Sequence, residues 1–512
     1  MSTEILEIVT RNSNIALDKL VQVLHKRSRG SFIGAAIFLI SVHQVLSYFR
    51  VPKNLRHIPK VSTFAFAKSV LSGESRLSLA QRLLIPTSDK GNGFYLSKVP
   101  FNWTVYVCNP LAAKQLCLKS NVFPKSHLWQ DMLGKNGVLS NFIGNNSVVM
   151  SNGETWKKQR ALINPIFHRS MPIKTMGGVV KSFFAAVDKQ DGNIDIANKM
   201  QQFTLDILGV TTFDYNFQSL NGDPEGWLDT FESVSSGLLS PTTTIFSALD
   251  PLFLLISPTR KRCQKSLDYI NNKFDEIAQQ KRELIQKGVT SNTPESEKNL
   301  LTLMLEAEQR GEAMVDPIEL RQNISVFFLA GHETTSIALS FCLYNLAKYK
   351  HIQRKLRQEI IDVMGDEPID VIPTLEELRR MDYMNLVIKE NLRLYSPADT
   401  PIPRRTTEDV DLAGTFIPKG TDITLDMQCL HHNSDVWRNP EEFIPERFQE
   451  GGEQSSHEGF TYLPFSSGSR QCVGMNFSLA EQRVFLAMLV RRYEIDIPKD
   501  SVHYKEIVFD YM

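Results

Sequence analysis

The sequence predicts a mainly α-helical protein with small β-sheets, built as one large domain behind an N-terminal membrane anchor. Three observations lead there. Most of the chain beyond residue 60 has helical periodicity, including one well-marked helix that starts at Asp316 and Pro317 and runs to about Tyr349. Strand-like alternation is confined to short stretches, "FYLSKV" and "WTVYV" near 94–107 and "VDLAGTFIPKGTDITL" near 410–425. Residues 31–49, "SFIGAAIFLISVHQVLSYF", form an uncharged run close to the roughly 20 residues that cross a hydrocarbon core.

From the N-terminus, residues 1–30 read as a polar, amphipathic segment. Glu4, Glu7 and Asp18 argue against a short basic leader and against a mitochondrial transit peptide. The apolar run 31–49 is expected to be a transmembrane anchor. His43 and Gln44 within it keep an interfacial helix as the other reading. Lys26, Arg27 and Arg29 precede the run, and Arg50, Lys53, Arg56 and Lys60 follow it, so charge does not orient it. Residues 50–60 hold Pro52 and Pro59 among basic residues, a stiff hinge suited to hold a domain against a membrane. Residues 61–512 read as one catalytic domain, with the polar stretch around 286–299 as a surface loop.

Lys and Arg number 57, as do Asp and Glu, and this zero formal charge excludes a nucleic-acid binder that relies on a strong overall basic field. The six cysteines are far apart, with no C-x-x-C pair, as expected of reduced thiols facing the cytosol. Four N-x-S/T sequons, at Asn102, Asn145, Asn323 and Asn476, read as unglycosylated, because two of them fall within the chemical stretches described below.

The long helix has Asp316 as N-cap, Pro317 in its first turn and Glu319 as a capping-box acid. At its length it spans about 45 to 50 Å, enough to cross a whole domain. Its centre, "FFLAGHETTSIAL", places Gly331 and Glu333 where both are costly, so the helix is expected to bend around something there.

"PFSSGSRQCVG", Pro464 to Gly474, holds a lone cysteine that is either a small packed thiol or a thiolate ligand. The stretch fills every specified position of F-x-x-G-x-R-x-C-x-G with Phe465, Gly468, Arg470, Cys472 and Gly474, and so resembles the haem-ligand loop of the cytochrome P450 family. A helix follows it, marked by Phe477, Ala480, Val484, Ala487 and Met488. The resemblance implies Cys472 as axial haem iron ligand, stabilised by backbone N–H groups and the helix N-terminus. Gly468 is expected to permit a tight turn, Gly474 to let the backbone approach the macrocycle, and Arg470 to pair with a haem propionate.

Three further stretches are similar to the same family. "AGHETT", Ala330 to Thr335, resembles its oxygen-activation motif, which implies catalytic roles for Gly331, Glu333 and Thr334: space beside the haem, and held water that passes protons to the reacting oxygen. "KENLRLYSP" and "PERF" supply Glu390, Arg393 and Arg447, a structural triad expected to brace the cysteine loop. "WKKQR" places Trp156 and Arg160 one helical turn apart, as propionate donors. Lys157 and Lys158 between them read either as part of a partner-docking surface or as a solvated helix face.

The resemblance extends over nearly all of 60–512. It implies the cytochrome P450 fold, a helical triangular prism, with haem b as cofactor, and insertion of one oxygen atom from O2 into a hydrophobic substrate such as a steroid, fatty acid or lipophilic xenobiotic. Phe327 and Ala330 are expected to line the pocket, with 122–148, 237–255 and 397–402. Electrons would come from NADPH through NADPH–cytochrome P450 reductase, with cytochrome b5 as an optional partner, at an endoplasmic reticulum membrane with the domain in the cytosol. The alternatives are a haem-thiolate isomerase, dehydratase or peroxygenase, and a non-catalytic haem sensor. Neither an isomerase nor a sensor explains Glu333 and Thr334.

Overall fold

A computed structural model describes residues 38–507 apart from 39, 45–46, 100–101, 128–137, 168–170, 191, 239–249, 291–297, 312–315 and 506. The chain divides into two compact units, Met1–His57 and Ile58–Met512. In the first, residues 38, 40–44 and 47–48 are helical and carry exposed Phe38, Ile40, Val42 and Tyr48. Phe49 follows in a turn, and the rest of the expected anchor, with the whole of 1–30, lies outside the described residues. A 3-10 turn, Lys53–Leu55, follows Pro52, whose carbonyl accepts from the Leu55 N–H at 3.0 Å.

In the second unit, the helix Pro317–Lys348 is the backbone of the fold. Asp316 caps it, its side chain accepting from the Ile318 N–H at 3.0 Å, and Pro317 occupies the first turn. Glu319 departs from expectation: its carboxylate takes the side-chain N–H of Gln159, on the helix Gly153–Phe167, instead of closing a capping box. Apolar residues on every side let the helix serve two cores. Leu320, Ile324, Phe327 and Phe328 join one with Leu208, Trp227 and Phe274, while Ala338, Leu339, Leu343 and Leu346 join another with Val387, Val484 and Phe485. Among the described residues it is the one helix long and apolar enough to cross a membrane, and it is spent on these cores.

The expected strands are present. β1 (Phe94–Val99) and β2 (Asn102–Val107) form an antiparallel hairpin with Phe94 opposite Val107. β3 is Arg404–Arg405, β4 (Val410–Leu412) and β5 (Thr415–Ile417) make a separate two-stranded hairpin, and β6 is Asp422–Leu425. β6 pairs parallel to β2 and antiparallel to β3, so the larger sheet has the order β1-β2-β6-β3. This pairing brings Arg404, far along the chain, beside the segment Lys125–Ser126, since Lys125 bridges Arg404 and the Ser126 N–H donates to Pro403 O at 2.8 Å.

The helix Met475–Arg492 follows the cysteine loop and buries Ala480, Val484, Ala487 and Met488, the residues whose spacing marked it. All six cysteines are free thiols, as expected. Asn323 is buried and its side-chain oxygen accepts from the Val148 N–H at 2.8 Å, so that sequon cannot carry a glycan.

Candidate active site

The cysteine loop is shaped by its glycines and by one backbone hydrogen bond. Gly468 has φ +70°, and a Cβ there would sit 2.5 Å from the carbonyl oxygen of Cys117, so only glycine fits on both counts. The chain then turns through a 3-10 segment, Gly468–Arg470, and the Cys472 N–H donates to Phe465 O at 2.9 Å, closing the loop. Gly474 is the residue before the following helix, and the nearest atom its Cβ would meet is Cys472 Sγ at 4.0 Å. Burial pushes the thiol up from its ordinary range, while the backbone N–H groups of Gly474 and Met475 and the charge of Arg160 favour its thiolate.

A cationic cradle lies against this loop. The Arg470 guanidinium stacks on the Trp156 ring at 3.8 Å and donates to Ser151 O at 2.9 Å and to Asn152 Oδ1 at 3.0 Å. Burial, with Arg404 and Arg160 nearby, brings its pKa down to about 10. Arg160 is also lowered by burial, and its buried Nε has no hydrogen-bond partner among the described residues. Two residues that no motif announced complete the set. Lys125 is brought down to about 7 by burial and by the charges of Arg404 and Arg470. Buried Arg404 donates to Leu116 O at 2.7 Å. Asn152 ties these pieces together, taking the Lys125 N–H at 2.9 Å while its own amide donates to Lys125 O at 3.0 Å.

On the long helix, Thr335 Oγ1 lies 2.9 Å from Ser478 Oγ, so the "AGHETT" stretch touches the helix that follows Cys472. Thr334 donates its hydroxyl to Ala330 O at 2.7 Å. Burial raises the Glu333 carboxyl above its ordinary range. His332 faces away, against the rings of Phe231 and Phe328, and burial brings it down to about 4. The helix is hydrogen-bonded as an α-helix from end to end through Gly331. The reason for glycine there differs from the one expected, since the room its missing Cβ leaves is filled by Leu208 Cδ1, which a Cβ would meet at 2.7 Å. Gly331 therefore serves the crossing with the helix Ile196–Leu208. Of the two expected pocket residues, Ala330 is accessible, whereas Phe327 is buried with its ring 6.0 Å from that of Phe167.

The triad assembles in the interior. Arg393 Nε and Nη2 donate to the two carboxylate oxygens of Glu390 at 2.8 and 2.9 Å, and Arg447 Nε donates to Glu390 Oε1 at 3.2 Å. Arg393 Nη1 also donates to His431 O at 2.6 Å, and the His431 ring accepts from the Leu463 N–H at 3.1 Å. Leu463 stands two residues before Phe465, so a continuous set of hydrogen bonds joins the triad to the loop.

The Cytochrome P450 family model matches residues 86–508, which contain all of these groups. The chain belongs to the cytochrome P450 family. Curated relatives of this monooxygenase include cytochrome P450 3A2 of Rattus norvegicus, 31% identical over 69% of this chain and 71% of its own length. Another is the taurochenodeoxycholic 6 alpha-hydroxylase of Sus scrofa, 28% identical over 68% of this chain and 69% of its own. The crystal structure of the cytochrome P450DA haem domain superposes with a TM-score of 0.70, at 22% identity, over 87% of this chain and 93% of that one, which shows the shared fold.

The residues present fit the haem-thiolate group that the family uses. A cysteine sulfur supplied with N–H donors suits an iron ligand, and one buried and three half-buried cations, one of them with an orphaned N–H, suit two carboxylates brought by a cofactor. A second group of metal-binding residue types, Cys108, Asp426 and Cys429, has its ligand atoms within 4.8 Å of one another. It belongs to a different apolar cluster from the haem loop. Its carboxylate is already committed to the Tyr95 hydroxyl, the Cys429 N–H at 2.9 Å and Arg76 at 3.4 Å.

Proposed function

We propose that this cytochrome P450 hydroxylates a lipophilic substrate of the steroid or fatty-acid class at the endoplasmic reticulum membrane, using electrons that NADPH supplies through NADPH–cytochrome P450 reductase, with cytochrome b5 as a second donor. The observation that carries this reading is the meeting of the two halves of the site, Thr335 on Ser478, with Cys472 six residues before Ser478 and Thr334 beside Thr335. The relative named for taurochenodeoxycholic 6 alpha hydroxylation supports a sterol-sized guest.

Bound haem would supply dioxygen activation and oxygen insertion. The chain's own residues hold and serve it. Cys472 would provide the thiolate ligand, Phe465 and Gly468 shape the loop that presents it, and Gly474 leaves the sulfur uncrowded. Trp156, Arg160, Arg470, Lys125 and Arg404 would hold its propionates. Thr334 has its hydroxyl proton engaged with Ala330 O, so its oxygen is free to accept from a water. Glu333, raised by burial, retains a proton closer to neutral pH than an ordinary carboxyl and can pass it to that water. Glu390, Arg393 and Arg447 keep the loop in place. Residues 31–49 anchor the chain in a single pass, with 50–60 as the hinge.

Reconstitution with the reductase, NADPH and a panel of sterols and fatty acids tests the reading. Hydroxylated product that depends on both NADPH and reductase is the expected result. Turnover that persists without them, or isomerised product lacking added oxygen, overturns it.

A further inference from the structure

Arg76 joins three points that are far apart in sequence. It opens the short helix Arg76–Leu79, capped by Ser75, and its guanidinium reaches two other segments. Nε donates to Asp399 Oδ2 at 2.9 Å, and Nη2 lies 3.4 Å from both Thr400 Oγ1 and Asp426 Oδ2. Asp426 is fully buried at the end of β6 and is held by Tyr95 and the Cys429 N–H, so Arg76 is fastened to a fixed point of the sheet.

The segment it holds has no strand or helix of its own. Residues 396–403 run as turn and coil between the Glu390 helix and β3, so individual contacts must position them. Asp399 O accepts from the Met427 N–H at 2.8 Å, Pro401 O from Thr424 Oγ1 at 2.8 Å and Pro403 O from the Ser126 N–H at 2.8 Å. Side-chain contacts to Asp399 and Thr400 come from Arg76 alone among the hydrogen bonds described. Ile402, between the pinned carbonyls, packs against the apolar cluster that contains Phe327, as does Val473, the residue after Cys472. Arg404, two residues beyond Ile402, belongs to the cationic cradle beside the cysteine loop, so a shift of Asp399 and Thr400 is carried along a short segment toward the residues that would hold the haem.

We propose that Arg76, through Asp399 and Thr400, is a positioning residue that sets the reach of Ile402 toward the haem face and so selects hydrophobic substrates by width without touching them. The guanidinium fork matters, because it spans a carboxylate on one segment and a hydroxyl on the same segment while holding Asp426 on another. Arg76 and Asp399 have side chains 31% and 28% exposed, so the clamp works from the rim of the domain.

The inference rests on the haem-thiolate reading, and two ligands separate its failure from that of the reading. The probes are imidazole, which binds haem iron and is too small to meet Ile402, and 4-phenylimidazole, which extends from the iron into the space beside it. Both are titrated into the full-length haem protein and read by the shift of the haem absorbance. Asp399→Asn and Arg76→Leu are expected to leave the imidazole Kd and the reduced-CO band of thiolate-bound haem unchanged, and to change the 4-phenylimidazole to imidazole Kd ratio by about tenfold. Arg76→Lys, which keeps a charge for Asp399 but not the fork, should recover part of the ratio. An unchanged ratio in Asp399→Asn with the reduced-CO band intact overturns the clamp alone. Loss of the band in all three variants also overturns it, since Arg76 would then serve only the fold. A wild-type protein without the band overturns the haem-thiolate reading itself.

Discussion

Arg393 holds Glu390 by two parallel hydrogen bonds, at 2.8 and 2.9 Å, and neither side chain is exposed at all. Two charges taken this far from water are tolerable because further partners surround them: Arg447 and the Ile444 N–H for Glu390, His431 O and Glu442 O for Arg393. Removing one partner leaves the other charged and alone. Arg393→Ala is therefore expected to cost about 3 to 5 kcal/mol of stability. Because His431 connects Arg393 to Leu463, the same variant should release haem at lower denaturant concentration than it unfolds. A urea titration followed by both haem absorbance and circular dichroism checks this, and coincident transitions would contradict it.

Thr334 is expected to act on protons and not on haem retention. Its side chain meets the helix's own carbonyl and no other element in the described hydrogen bonds, so Thr334→Ala removes an acceptor for water with little packing loss. The variant should keep the reduced-CO band and NADPH consumption, while product per NADPH falls about tenfold or more and peroxide rises in step. Thr334→Ser should restore coupling. Product yield in Thr334→Ala equal to that of the wild type would show that the proton comes by another route.

The parts of the site legible in the sequence are those whose reasons are local. Gly468 requires a positive φ, Pro317 and Asp316 start a helix, and Glu390 and Arg393 stand one turn apart, so each leaves a mark within a few residues. The parts that were not legible depend on a crossing. Lys125 and Arg404 meet through an isolated bridge between segments far apart in the chain, and nothing in "FPKSH" or "IPRRT" shows it. Gly331 carried a local expectation, space for the haem face, but its neighbour is Leu208, from a helix more than a hundred residues earlier. Glu319 fitted a capping box by spacing, and the nearby amide of Gln159 competed successfully for it.

Lys125 is expected to make haem binding sensitive to pH. Burial and two neighbouring arginines bring its ammonium down to about 7, and a carboxylate beside it would raise that value again. Below this pH the cation is already present for a propionate. Above it, binding must take up a proton, so affinity falls as pH rises, by up to about tenfold per unit. Haem transfer to apomyoglobin should accordingly be slower at pH 6 than at pH 8, and Lys125→Met should flatten the difference. An equal pH dependence in that variant would place the titrating group elsewhere.

Two buried histidines should weaken the fold in acid. Burial brings His332 down to about 4, and burial together with Arg393 and His432 brings His431 down to about 3, from an ordinary value of 6.5. Both pKa values are depressed on folding, so the unfolded chain takes up protons first as the pH drops below 6.5. Their contribution is complete above 6.5 and is lost on the way down toward 4 and 3, at about 1.4 kcal/mol per pH unit for each. At pH 5 that amounts to roughly 2 kcal/mol per histidine. Glu333 and Glu481 run the other way, since burial raises their carboxyls and their contribution is complete below an ordinary carboxyl pKa and lost as the pH rises. The informative quantity is therefore the difference between chains. His332→Gln keeps a donor for Phe328 O and removes one titrating site, so its Tm should fall less than that of the wild type between pH 7 and pH 5. Parallel Tm curves for the two proteins would show that His332 does not take up a proton on unfolding.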